Sequence, residues 1–149
     1  MGFLEGTSSA EIDAPLEQVW KAVEDVERAP DWQGGMKDVE ALERDDEGRA
    51  TLAETSADAK VTTVKTNVRF TYEGPTKLSW TQEKGDFKSM DGSWELEDLG
   101  DGRTRATYSL AGDTGRMLGM IIRGPVEDQL RKFLVNARAG ELKAYVEGS

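Results

Sequence analysis

The sequence predicts an α+β fold: a curved antiparallel seven-stranded sheet wrapped around a long C-terminal helix, with two short helices after strand 1. Three observations carry that expectation. From Met36 to about Asp113, short runs rich in Val, Thr, Phe, Tyr and Trp alternate with polar residues and are broken by turn signals. Ahead of them, Leu16, Val19, Trp20, Val23 and Val26 recur at helical spacing. Behind them, a helical stretch with an apolar stripe runs from about Arg116 to Val146.

Thr7 to Ile12 is the first strand candidate. Asp13-Ala14-Pro15 follows, an acidic capping residue and a proline where a first helical turn tolerates one. The helix over Leu16 to Val26 has about three turns. Ala29-Pro30-Asp31-Trp32 restarts the chain as a second short helix, ended by Gly34-Gly35.

The meander breaks at Asp45-Asp46-Glu47-Gly48, Ser56-Ala57-Asp58-Ala59, Glu73-Gly74-Pro75, Lys84-Gly85-Asp86 and Leu99-Gly100-Asp101-Gly102. Connections this short join antiparallel neighbours. Within the strands, period two sets an inner face. It holds Val64, Thr66, Val68, Phe70 and Tyr72, then Leu78 and Trp80, then Met90, Gly92, Trp94 and Leu96, and last Ala106, Tyr108 and Leu110. Glu95, Glu97, Arg105 and Thr107 take the opposite, wet face, so the sheet is covered on one side. The C-terminal helix supplies the cover, with a break expected at Gly124-Pro125. Past the break, Val126, Leu130, Phe133, Leu134 and Ala137 make its stripe, continued by Gly140 where the helix backbone approaches the sheet. Met117 to Ile122 is the most apolar stretch, read as packing ahead of a mobile lid.

The 149 residues include no cysteine and no histidine. Disulfides, thiolate nucleophiles, cysteine-ligated metals and Ser-His-Asp arrangements are therefore excluded. No EF-hand-like loop or phosphate-binding loop is present, and nothing implies a metal or a permanent cofactor. A net charge of −10 argues against nucleic acid and anionic membrane surfaces as partners. No apolar run reaches the roughly 18–20 residues that span a bilayer, so stable membrane insertion is not expected. The start of the chain lacks the character of a signal peptide, and a cytoplasmic location is the expectation.

The order of elements, together with particular motifs, resembles the helix-grip fold of the START-like (SRPBCC) superfamily. Its polyketide cyclase/dehydrase and coenzyme-Q-binding-like branch is the nearest match. The motifs are Ala10-Glu11-Ile12-Asp13-Ala14-Pro15 with Glu17-Gln18-Val19-Trp20, Ala29-Pro30-Asp31-Trp32, and Gly92-Ser93-Trp94-Glu95-Leu96. The resemblance spans about residues 7–147 and implies one helix-grip domain over 1–149 with a cavity between sheet and long helix. It implies binding of a small hydrophobic or aromatic molecule, such as a lipid, quinone or polyketide-like compound, for sequestration or transport. A cyclase, aromatase or dehydratase is the alternative, and a ribosome-associated, toxin-like interaction module a third, its protein partner unknown.

Trp80, Trp94 and Tyr108 fall on inward parity in three consecutive strands, an aromatic wall faced by Leu130, Phe133 and Leu134. Val68, Phe70, Gln82 and Met90 complete the expected binding set, and Gly92 adds space. Candidates for proton transfer are Glu54, which shares the parity of Leu52, and Tyr108. The resemblance adds Arg69, since aromatase/cyclases use a cavity arginine, although its parity here is outward.

Overall fold

Alternating strands and short turns leave the chain little choice but an antiparallel meander, and its two ends close the sheet. The computed structural model describes residues 3–60 and 62–149. Met1, Gly2 and Val61 lie outside them, and with Met1 and Gly2 the start of the chain that was read for a leader. The strands are β1 (Phe3–Ile12), β2 (Met36–Arg44), β3 (Ala50–Asp58), β4 (Thr63–Glu73), β5 (Lys77–Gly85), β6 (Ser89–Gly100) and β7 (Arg103–Asp113). They form one sheet in the order β1-β7-β6-β5-β4-β3-β2, every pair antiparallel. Six strands follow one another in space as in sequence, and β1 adds to the far edge against β7.

β1 is longer than its expected start at Thr7. The expected turn at Ser56 to Ala59 falls later, because β3 runs through to Asp58. There the Asp58 carboxylate accepts the backbone N–H of Lys60 at 2.8 Å, a local bond that holds Lys60 at φ 70°. At the outer edge β2 is interrupted by register shifts and exposes Lys37, Asp38, Glu40, Glu43 and Arg44. Charges and bulges of this kind keep an unpaired edge from recruiting another strand.

α1 (Leu16–Glu24) buries Val19, Trp20 and Val23. Asp13 does not cap it: Pro15 holds the capping position and no side chain bonds to it. The Asp13 backbone N–H donates instead to Glu147 Oε2 at 2.8 Å, tying the end of β1 to the C-terminal helix. The second short helix is a 3₁₀ helix over Val26–Asp31, which takes Val26 away from α1 and stops before the glycine pair.

The C-terminal region is four pieces. α2 (Gly115–Ile121) buries Leu118 and leaves Met117, Met120 and Ile121 exposed. The break falls where expected: Gly124 takes φ 60°, ψ −132°, and Pro125 then opens α3 (Pro125–Arg131), where its missing N–H costs nothing. A π-helical turn over Lys132–Asn136 leads into α4 (Arg138–Glu147). The Ala137 N–H bonds to the Lys132 carbonyl, five residues back, at 3.1 Å.

That one extra residue per turn rotates everything after it. Val126, Leu130 and Leu134 keep the expected side, but Ala137 is exposed and Gly140 has open space where a side chain would stand. Val135, Arg138, Ala139, Leu142 and Val146 are buried in their place. With Ile12, Trp20, Trp94, Leu96 and Ala106, the apolar four of these (Val135, Ala139, Leu142 and Val146) belong to the larger apolar cluster, while Leu4, Leu118, Ile122 and Leu130 centre a second one.

Candidate ligand cavity

Because the sheet curves past one helix instead of pressing flat against it, the two clusters do not fill the space between them. A cavity of about 120 Å³ remains, measured as room for the centre of a water-sized sphere. A single water needs about 10–15 Å³ by that measure, so the space is suited to a larger guest.

The inner face of the sheet forms one wall. Trp94 and Tyr108, paired across β6 and β7, have ring centroids 4.9 Å apart; Trp80 stands 5.7 Å from Tyr108 and 6.2 Å from Phe70. Val68 and Met90 extend the wall, and Leu130 and Leu134 face it from the C-terminal region. Val23, Val26 and Ala29 close the side under the first helices. Thr55 and Thr66 add one polar spot, their hydroxyls hydrogen-bonded to each other at 2.7 Å.

Gln82 and Phe133, expected on this wall, lie off it. The Gln82 amide nitrogen donates to the Phe87 carbonyl at 2.8 Å, turning the side chain toward the β5–β6 hairpin. Phe133 packs where a side chain on Gly35 would stand, with the Lys60 ammonium 4.2 Å from its ring centre. Gly92 adds no space either, because the Trp80 indole lies across the position a side chain would take.

Glu54 is exposed on the outer face, opposite Glu40 and Asn67. The phase of β3 is set by Ala53, Thr55 and Ala57, and Leu52, the residue whose parity suggested otherwise, faces outward beside Arg69. Arg69 is also on that face, bonded to Glu43 at 2.9 Å and Glu83 at 2.8 Å. Of the three proton-transfer candidates only Tyr108 reaches the cavity. Burial pushes its hydroxyl up, with the charge and hydrogen bonding of Arg138 working against that rise.

Arg138 is the residue that sequence reasoning missed. It is 3% exposed, lines the cavity, and places its guanidinium carbon 5.9 Å from the Tyr108 ring centre. Its Nη1 donates to Glu141 Oε1 at 2.6 Å and to the Gly34 carbonyl at 3.0 Å, while Glu141 Oε2 accepts the Gly34 N–H at 2.9 Å. One ion pair thus holds both backbone polar groups of Gly34. Just ahead of it, Trp32 lines the cavity, stacked on Tyr145 at 5.7 Å and 6.1 Å from Trp94. The Arg138–Glu141 spacing was the available signal, but without the π turn it reads as a solvated i, i+3 pair. Among the described residues no three acidic side chains gather as a metal site would require.

Residues 12–137 match the family described as polyketide cyclase/dehydrase and lipid transport. The chain belongs to that family. The structure is that of a START-like helix-grip domain, and solved structures agree with it. A START superfamily protein from Mycobacterium smegmatis superposes with TM-score 0.80 at 20% identity, covering 99% of both chains. A protein from Thermus thermophilus gives 0.80 at 19% identity, over 97% of each chain. The Zhui aromatase/cyclase from a Streptomyces species gives 0.72 at 18% identity, over 98% of this chain and 94% of that one. No curated protein matches at a significant level. At these identities the likeness is one of fold, and within the family both binding and catalysis are represented. No helix among the described residues is long and apolar enough to cross a membrane.

Proposed function

We propose that this chain binds a small hydrophobic or aromatic molecule, of the lipid, quinone or polyketide-like kind, and sequesters or carries it. The observation that carries the reading is the cavity itself: open, walled by Phe70, Trp80, Trp94 and Tyr108, and polar at only a few points. A guest burying about 300 Å² of apolar surface gains roughly 7 kcal/mol gross at about 25 cal/mol/Å². After the costs of association, micromolar affinity is within reach without a charged anchor. The cyclase reading needs groups to move protons, and with Glu54 and Arg69 on the outer face Tyr108 is what remains of the candidates taken from sequence. A phenol held protonated by burial suits hydrogen bonding to a guest better than it suits proton abstraction.

Native mass spectrometry of the purified protein, with organic extraction of anything released, tests the proposal. A co-purified lipid, quinone or aromatic compound supports it and names the class. An apo protein that also takes up no apolar probe when titrated overturns it.

A further inference from the structure

Alternate turns of an antiparallel meander lie at opposite ends of its sheet, and here the two ends differ in charge. One end holds the turns after β2, β4 and β6, with Asp45, Asp46, Glu47, Glu73, Asp98 and Asp101 in or beside them. Its arginines Arg44, Arg49, Arg103 and Arg105 are all paired with carboxylates. The other end holds the turns after β3 and β5 and the exit of β7 into α2. Lys60, Lys65, Lys88, Arg116 and Arg123 are exposed there, and none of them forms an ion pair among the described residues. The acids nearby are already committed. Asp58, Asp86 and Asp113 accept the backbone N–H groups of Lys60, Lys65 and Gly115, while Glu127 and Asp128 face Arg131.

α2 stands among these cations, and Lys88, Arg116 and Arg123 share a surface hollow with its Met120. Leu118 and Ile122 turn inward to the second apolar cluster, yet Met117, Met120 and Ile121 are 81%, 67% and 46% exposed. Among the described residues, Leu42 is the other large apolar side chain left this open. A segment apolar on both faces is one that something covers on both.

We infer that this end of the molecule docks on an anionic lipid bilayer without crossing it. Met117, Met120 and Ile121 enter the headgroup region, and the five cations lie against the phosphates. The inference goes beyond a guest in the cavity and stands without one. The net charge of −10 does not oppose it, because strands of 9 to 12 residues hold the acidic turns at a distance. That distance is about 30 Å, several times the Debye length of about 8 Å at physiological salt. A second copy is a poorer occupant, since a two-fold contact through α2 would set Arg116 and Arg123 against themselves. An acidic protein would have to meet cations on separate elements at fixed points, whereas lipid headgroups move to them.

The test is co-sedimentation of the full chain with vesicles of phosphatidylcholine, alone or with about 30% phosphatidylglycerol. Binding to the anionic vesicles is expected at about 0.1 M salt, and at least about tenfold weaker binding to phosphatidylcholine alone or at about 1 M salt. Met117→Ser combined with Met120→Ser should weaken it about tenfold, and Arg123→Glu at least about fivefold. Tm should hold in both, because these side chains are exposed. Lys21→Glu makes the same charge change beside Glu47, at the acidic end, and should leave binding as it was. No binding to the anionic vesicles overturns the inference, and binding to polyglutamate in its place would mark a face for an acidic protein. Full binding by the serine pair overturns it as well, as does an equal loss in Lys21→Glu. So does a dimer, seen by gel filtration, that the serine pair abolishes. Each of these outcomes leaves the cavity reading standing.

Discussion

Trp94 and Trp80 sit on neighbouring strands and the same face, yet their surroundings assign them different work. Trp94 is 2% exposed and wedged between Tyr108 and Trp32. Replacing it with alanine should cost about 3–5 kcal/mol of stability, read as a fall in the urea midpoint with the slope unchanged. Trp80 is only partly buried and lies over Gly92, its partner across the β5–β6 ladder. Trp80→Ala should therefore cost less stability than Trp94→Ala while weakening uptake of an apolar aromatic probe such as naphthalene more than it disturbs the fold. Equal losses in stability and uptake would reduce Trp80 to a core residue. Gly92→Ala probes the same contact from beneath. A methyl group there displaces the indole, at a cost of about 1–3 kcal/mol, and shifts the Trp80 emission or its near-ultraviolet dichroism. The sequence suggested that Gly92 left room in the cavity. It leaves room for a ring instead, a distinction that alternation cannot make because both readings put a small residue on the inner face.

Among the elements, what could be read in advance depended on whether a local period survived. β4 to β7 were legible because large apolar residues alternate with charged ones, and the register then follows from short turns. β3 was not. Its inward positions are the small residues Ala53, Thr55 and Ala57, the last two lining the cavity, while its largest apolar residue, Leu52, faces outward. Hydrophobic size pointed to the wrong face, and Glu54 went with it. The π turn over Lys132–Asn136 has no compositional mark at all, since an i to i+5 bond uses the same residues as an i to i+4 bond. It carried Arg138 inward and Gly140 outward, so the buried Arg138–Glu141 pair was hidden from a reading at 3.6 residues per turn. Gly140 offers a clean check on that rotation. It is exposed within α4 and meets nothing, so Gly140→Ala should stabilise by about 0.5–1 kcal/mol through helix propensity and raise Tm by a few degrees. The stripe expected from sequence would have put that methyl against the sheet and produced a loss. A thermal melt decides between the two signs.

For the whole molecule, the absence of histidine turns the response to pH into a test of the outer face. No side chain here has an ordinary pKa between about 5 and 8, so the protonation difference between folded and unfolded states should vanish across that window. Below it, particular carboxylates differ between the two states. Hydrogen bonds from Arg105 and Arg103 hold Glu11 below the usual range; Arg44 does the same for Glu27, Arg69 for Glu83, and the Asp13 N–H with Lys143 for Glu147. A depressed folded-state pKa means that the unfolded chain takes up its proton first as pH falls. The stability from these pairs is therefore complete above the unfolded value of about 4.3 and is lost as pH drops through the lower folded values. Thermal melts in dilute buffer should give a flat Tm between about pH 6 and 8 and a decline beginning near about pH 4.5. Because the pairs are largely exposed, about 1 M salt should shrink the acid decline while leaving the plateau flat. A slope inside the plateau would demand a group titrating near neutrality. In a chain without histidine that group would be the α-amino group or a carboxylate raised by burial, and the second is an acid–base residue of the kind the cyclase reading needs.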